Sequence, residues 1–298
     1  YFQHLEQRIL DLQARGIEAD LILFHPYDFG AWGFDRMPAE VNDRYLHYVV
    51  ARLAAFRNVW WSFANEYDLF VGRTMDDWDH YMQLVQQIDP YDHLRSIHNC
   101  FAFYDHTKPW VTHCSIQNWN MYRVQVWRKL YGKPVVIDEC GYEGDINMLW
   151  GDLSPEKMMH RFWLGFVQGG YVGHGETYVN EREELWWSKG GTLRGLSPDR
   201  LAFLRQIMDE APAEGIDPID GLLETEFPVA GKEGEYYLAY FGFHQPAAIV
   251  LHLPEGKRFE AEVLDTWDMK RIPAGVVEGR CEVRLPGKPY IAVVVRRR

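Results

Sequence analysis

The stretch Asn58-Val59-Trp60-Trp61-Ser62-Phe63-Ala64-Asn65-Glu66-Tyr67 is a short apolar run that stops abruptly at an amide and a carboxylic acid. Four to eight apolar residues with aromatics and a β-branched residue suit a strand covered on both faces, as in a parallel sheet wrapped by helices. Such strands carry chemistry at their C-terminal ends, which puts Asn65 and Glu66 at the mouth of the sheet. The run Lys133-Pro134-Val135-Val136-Ile137-Asp138-Glu139-Cys140-Gly141 has the same build. Two strand-end glutamates in one α/β chain point to a two-carboxylate active site.

Outward from these runs the pattern alternates. Phe2, Leu5, Ile9 and Leu12 recur at helical spacing and close on Gly16, feeding a strand that begins at Asp20 and ends at His25-Pro26-Tyr27-Asp28. Residues 38–57 predict a long helix with Val41, Tyr45, Tyr48, Val49, Leu53 and Phe56 along one side. A helix over 75–88 stops at Asp89-Pro90, and short strands follow at 94–99 and 111–118. After a helix at 121–131 and the Glu139 strand, Ser154 caps a helix over 154–167 with Pro155 at its first position. A last strand at 171–176 and a closing helix at 199–211 complete six strands, most followed by a helix. This order indicates a (β/α) barrel, and no G-x-G-x-x-G or phosphate-loop pattern follows any strand to support a nucleotide fold. From about Pro212 the helical spacing gives way to five β-rich runs, at 235–243, 247–253, 259–269, 281–286 and 290–297. They predict a small antiparallel β-sandwich or barrel.

Composition narrows the function. The chain has 298 residues, of which 47% are hydrophobic, enough for a sizeable core. Its 12 Trp, 17 Tyr and 16 Phe exceed ordinary core needs and suit sugar-stacking surfaces, with plain aromatic packing as the competing use of each ring. A net charge of −12 argues against nucleic acid as a partner, and the terminal Arg296-Arg297-Arg298 is too short to reverse it. No segment approaches the roughly 20 apolar residues of a membrane span, and no signal-peptide pattern opens the sequence. Cys100, Cys114, Cys140 and Cys281 have no paired spacing, which reads as free, mostly buried thiols rather than a disulfide framework or zinc site and weakly favours a reducing, cytoplasmic compartment. The reading calls for no cofactor and no metal, and leaves the oligomeric state open.

The Asn65-Glu66 and Asp138-Glu139 pairs, and the strand order around them, resemble the cellulase-like clan A of retaining glycoside hydrolases. The wording ADLILFHPYD, WWSFANEYD and KPVVIDECGYEGD, with a β domain beginning near Pro212, is similar to a bacterial branch close to glycoside hydrolase family five. The resemblance implies a (β/α)8 TIM barrel over residues 1–212, supplying strands three to eight, and a C-terminal β-sandwich domain over 213–298. It implies a carbohydrate substrate, Glu66 as general acid/base on strand four and Glu139 as nucleophile on strand seven. One carboxyl must be protonated to expel the leaving group while its partner is ionised to attack, and retention needs them ~5 to 5.5 Å apart. Asn65 would bind the sugar 2-hydroxyl. His25, His98 and, more remotely, His113 fall near strand ends where the clan places orienting groups. Gln117, Asn118 and Trp119 stand where the family has a His or Tyr contacting the nucleophile. Glu176 would bind a sugar hydroxyl unless it is a solvated rim charge, and Trp186 or Trp187 would supply a stacking platform. The two strands that open the clan's barrel are missing, and six strands cannot close an eight-stranded barrel, so the 298 residues are expected to be a fragment. The alternatives are an inactive carbohydrate-binding barrel and a metal-dependent hydrolase using His25, Asp28, His98 and His113, which lacks the His-x-His pair common in such sites.

Overall fold

The computed structural model describes residues 1–185 and 191–298. In chain order its α/β part runs α1 (Phe2–Gln13), β1 (Ala19–Phe24), α2 (Ala39–Leu53), β2 (Val59–Ala64), α3 (Met75–Ile88), β3 (Arg95–Ser96), β4 (Cys114–Gln117), α4 (Val124–Tyr131), β5 (Val135–Glu139), β6 (Glu143–Gly144), α5 (Pro155–Val167), β7 (Tyr171–Val172), β8 (Glu176–Thr177) and α6 (Ser197–Asp209). The C-terminal strands are β9 (Asp217–Pro218), β10 (Val229–Lys232), β11 (Tyr236–Tyr240), β12 (Ala248–His252), β13 (Phe259–Asp265), β14 (Lys270–Val277), β15 (Arg280–Arg284) and β16 (Ile291–Arg297). Contacts divide the chain into two compact units. Tyr1–Gln117 with Lys129–Asp138 form the first, and Asn118–Arg128 with Glu139–Arg298 the second. No described helix is long and apolar enough to cross a membrane.

In the first unit β1, β2 and β3 pair in that order, all parallel, with Ala19 opposite Val59 and Phe24 opposite Ala64. The central strand β2 is buried at every position but Trp60, as its largely apolar run requires, with Ser62 as its one polar member. Helix α2 turns Asn42, Leu46, Val49, Val50 and Leu53 inward. Its buried stripe is therefore displaced from the one expected: Tyr48 is exposed and meets Phe2 edge-on. Helix α3 begins with a capping box in which the Thr74 hydroxyl accepts from the Asp77 amide and the Asp77 carboxylate from the Thr74 amide. Strand β3 is shorter than its sequence run. The buried Arg95 side chain leaves the ladder to donate to the Trp110 and His93 carbonyls and to Asp92.

In the second unit, Ser154 caps α5 and Pro155 opens it, as expected. The six-stranded sheet β14-β13-β16-β11-β10-β9 is antiparallel, and β12 pairs with β15 beside it. Its strands β11 and β16 are apolar at both parities because both faces are covered. Tyr237, Ala239, Val263, Val293 and Val295 share a core with Ile249, Leu251 and Val283 of the smaller sheet. On the opposite parity Tyr240 stacks on Trp163 of α5, and the Tyr236 hydroxyl donates to the Ile207 carbonyl of α6. This packing is why the second unit includes α5 and α6 together with the C-terminal sheet.

The sheet holds three strands beyond the five expected runs: β9, β10 and β14. Strand β14 escapes the sequence pattern because it is an edge strand, exposed at seven of its eight positions, with Pro273 and Gly275 inside it. Its pairing with β13 slips between Ala261 and Glu262, a bulge that absorbs the proline.

Candidate active site

Strand β2 ends at Ala64, and the Asn65 amide extends the ladder by donating to the Phe24 carbonyl at 3.1 Å. Glu66 then turns the chain at φ 48°, ψ 55°. The left-handed region costs a side chain with a Cβ about 1–2 kcal/mol, so its surroundings must hold it there. They do so from one segment, residues 98–102. The His98 amide donates to the Ala64 carbonyl at 3.1 Å, the Tyr67 amide to the His98 carbonyl at 2.9 Å, and the Glu66 amide to His98 Nδ1 at 3.3 Å. Asp68 accepts from the amides of Cys100, Phe101 and Ala102 at 2.6, 2.8 and 2.8 Å, and the Tyr67 hydroxyl donates to the Ala102 carbonyl. Burial lowers the His98 imidazole to about 4, against an opposing pull from Asp68, so it is neutral at pH 7.

Asn65 donates from Nδ2 to the Tyr27 hydroxyl at 3.1 Å. The Tyr27 ring stacks on His25, whose Nδ1 accepts the Tyr27 amide at 3.3 Å. Asp28 is buried, and its carboxylate accepts the amides of Trp32 and Phe34, both at 2.6 Å, which shapes the loop after β1. Gln117, at the end of β4, exchanges two hydrogen bonds with Asn99 through its main chain, and its side-chain Oε1 is buried without a hydrogen-bond partner. His113 lies before the first residue of β4, at the end of that strand opposite Gln117, buried against Trp60 with Nδ1 3.0 Å from the Thr112 hydroxyl. Thus the first unit joins His25, Tyr27 and Asn65 in one chain of contacts, ties Glu66 to His98, ties Gln117 to Asn99, and leaves His113 apart.

In the second unit Glu139 closes β5, and its carbonyl accepts the Asn118 amide at 3.0 Å. Cys140, next in the chain, is fully buried, and burial pushes its thiol up to about 11. Gly141 follows at φ 85°. Beneath this turn lies Arg161 of α5, 6% exposed, which donates to the Cys140 carbonyl and sits 6.0 Å from the Trp119 ring. A Cβ on Gly141 would stand 2.7 Å from Arg161 Nη1. Trp119 itself is 52% exposed.

Glu176 is no solvated rim charge. It is buried, and its carboxylate accepts the amides of Arg194 and Gly195 at 2.8 and 3.1 Å. Beside it the buried Glu143 accepts the amides of Leu196 and Ser197 and the Tyr178 hydroxyl. With His174 these two glutamates bring three potential ligand atoms within 4.8 Å of one another, the one such group of His, Cys, Asp or Glu among the described residues. Each carboxylate, however, is already engaged by two backbone amides, which makes the pair an anchor for residues 194–197. His25, Asp28, His98 and His113 do not gather into a ligand set, and Asp28 is occupied by its own loop. Trp186 and Trp187 lie outside the described residues.

Tyr27, Asn99, Asp68 and Arg161 were not singled out from the sequence. Tyr27 stands in the HPYD run that ends β1, and Arg161 is a lone charge among Met158, Met159, Phe162, Trp163 and Leu164, a pattern that can be noticed in sequence.

A family described as "Apiosidase-like, catalytic domain" matches residues 1–192, and one described as "Domain of unknown function (DUF5605)" matches residues 226–296. Among solved structures, a putative glycoside hydrolase from Bacteroides vulgatus ATCC 8482 is 40% identical with a TM-score of 0.91, over 100% of this chain and 63% of that one. The present chain thus spans less than two thirds of that relative. A glycoside hydrolase family 5 structure from the same organism shares the fold at 15% identity, with a TM-score of 0.78 over 99% of this chain and 74% of that one. No curated protein matches the chain. By the match over residues 1–192, the chain belongs to the family of Apiosidase-like catalytic domains.

Proposed function

We propose that the protein is a retaining glycoside hydrolase that cleaves a β-linked glycoside by double displacement. The observation that carries the reading is the pair Glu66 and Glu139, each at the C-terminal end of an apolar strand, with Glu66 held in a left-handed conformation that packing must sustain. The family match and the 40% identity to a putative glycoside hydrolase support it. In this reading β1 to β5 and β7 are strands three to eight of a (β/α)8 barrel within residues 1–212, and residues 213–298 are the accessory β domain.

Glu139, ionised, attacks the anomeric carbon while Glu66, protonated, gives its proton to the departing glycosidic oxygen. Glu66, now ionised, takes a proton from water as that water attacks the glycosyl ester on Glu139, and both carboxyls return to their starting states. Asn65, oriented by Tyr27, contacts the 2-hydroxyl, and His25 lies beside that pair. Trp119 offers its exposed face to a sugar ring. Gln117 offers a buried acceptor at a strand end. Trp187 belongs to the same proposal as a stacking residue, and Glu176 contributes by anchoring residues 194–197. Apiosides are the first substrates to test, given the family description of residues 1–192.

Trapping with a 2-deoxy-2-fluoro glycoside followed by peptide mapping tests the assignment. The expected label sits on Glu139. A label elsewhere, or full activity in Glu139→Gln, overturns it.

A further inference from the structure

We propose that His98 is a positioning residue for Glu66, its imidazole holding the Glu66 amide so that the left-handed backbone from which the carboxyl projects is maintained. The inference rests on Glu66 being the acid/base.

The geometry separates what the His98 side chain does from what its backbone does. Two of its three bonds to this turn are main-chain, to the Ala64 carbonyl and from the Tyr67 amide, and any residue at position 98 can make them. The bond from the Glu66 amide to Nδ1 is the side chain's own. It reaches the one residue of the turn whose conformation a Cβ disfavours, and rotation of Glu66 out of the left-handed region would redirect its Cα–Cβ bond along with its amide. The imidazole is 4% exposed, so it lies beneath the turn and offers no open face to a sugar. To accept at Nδ1 it must carry its single proton on Nε2. Of the acidic groups around it, Asp68 pulls toward protonation while burial opposes it more strongly, which leaves Nδ1 available as an acceptor at neutral pH.

Asparagine presents Oδ1 at the same branch point as Nδ1, whereas glutamine carries its acceptor one carbon further out. The test compares His98→Ala, His98→Asn and His98→Gln in the full-length protein, using aryl glycosides with a good and a poor leaving group. Protonation by Glu66 matters only for the poor one. We expect His98→Ala to lower kcat/KM for the poor leaving group ~10- to 100-fold and to spare the good one, because misplacing a catalytic group by about 1 Å has effects of that size. His98→Asn should recover most of the loss and His98→Gln little. Equal losses on both substrates, or no advantage of Asn over Gln, overturn the proposal. In the wild-type protein, 15N NMR should find Nδ1 unprotonated at pH 7, and a protonated Nδ1 overturns it without any variant. If Glu66→Gln shows no leaving-group dependence, the acid/base reading itself fails, while the tautomer still decides whether the hydrogen bond exists.

Discussion

The turns that follow β2 and β5 start from the same sequence signal, an apolar run closed by a glutamate, and reach two different solutions. After β2 the left-handed residue is Glu66 itself, and the brace is a neutral, buried imidazole together with the Asp68 carboxylate. After β5 the left-handed residue is Gly141, two positions beyond Glu139, and the brace is the buried Arg161 guanidinium on the Cys140 carbonyl. The first turn spends conformational energy on the chemical residue. The second delegates the awkward dihedral to a glycine, which has no Cβ to clash. In the proposed mechanism Glu66 must change protonation state within each turnover, whereas Glu139 must remain ionised until it attacks.

The two turns differ most in what their loss does to activity. Removing the nucleophile with Glu139→Gln is expected to cut kcat by ~10⁶-fold, the scale seen when a covalent nucleophile is lost, measured on an activated aryl glycoside. Glu66→Gln should cost less, ~10²- to 10⁴-fold as for general acid–base groups: with poor leaving groups the loss falls on kcat/KM, and with activated substrates it falls on kcat alone, because water attack on the glycosyl ester loses its base, so azide restores that turnover. Comparable losses for both variants on an activated substrate would erase the distinction between the two turns.

The turns differ next in their contribution to stability. Gly141→Ala places a methyl 2.7 Å from Arg161 Nη1 at a left-handed φ. Strain and overpacking together should cost about 2–4 kcal/mol in chemical denaturation. Acid should also destabilise the fold. A buried histidine whose pKa falls on folding binds its proton more readily in the unfolded chain, so its contribution is complete above the unfolded value near 6.5 and is lost as pH falls toward the folded value. His98, His113 and His160 are each lowered to about 4 by burial, and His106 to about 3. The urea midpoint should therefore drop steeply from pH 6.5 to 4, and His98→Asn should flatten that slope by roughly one proton. The smallest effect is at Glu66: Glu66→Gly should be more stable than Glu66→Ala by about 1 kcal/mol, since glycine accepts the left-handed conformation freely. Equal stabilities would mean that the turn relaxes once the glutamate is gone.

Much of the scaffold was legible because its signals are local. The helical spacing of Phe2, Leu5, Ile9 and Leu12, the Ser154-Pro155 start of α5 and the apolar runs of β2 and β5 each specify an element within a few residues. Elements whose stability comes from a partner were not legible. Strand β14 exists because β13 lies beside it and accommodates Pro273 at a bulge. The two-residue strands β6 and β8 are too short to leave a pattern and pair through Glu143 and Glu176, so the sequence left Glu176 open between a sugar-binding group and a solvated rim charge, although it is buried.

The same division runs through the site. The sequence by itself determined that two glutamates stand at the ends of buried strands, because hydrophobic runs and their polar stops depend only on neighbouring residue types. It could not determine which of the two adopts a left-handed backbone, nor that His98 and Arg161 lie beneath the respective turns. Those facts depend on hydrogen bonds between residues 32 and 21 positions apart, Glu66 with His98 and Cys140 with Arg161. Such distant pairs meet only when the tertiary structure brings them together.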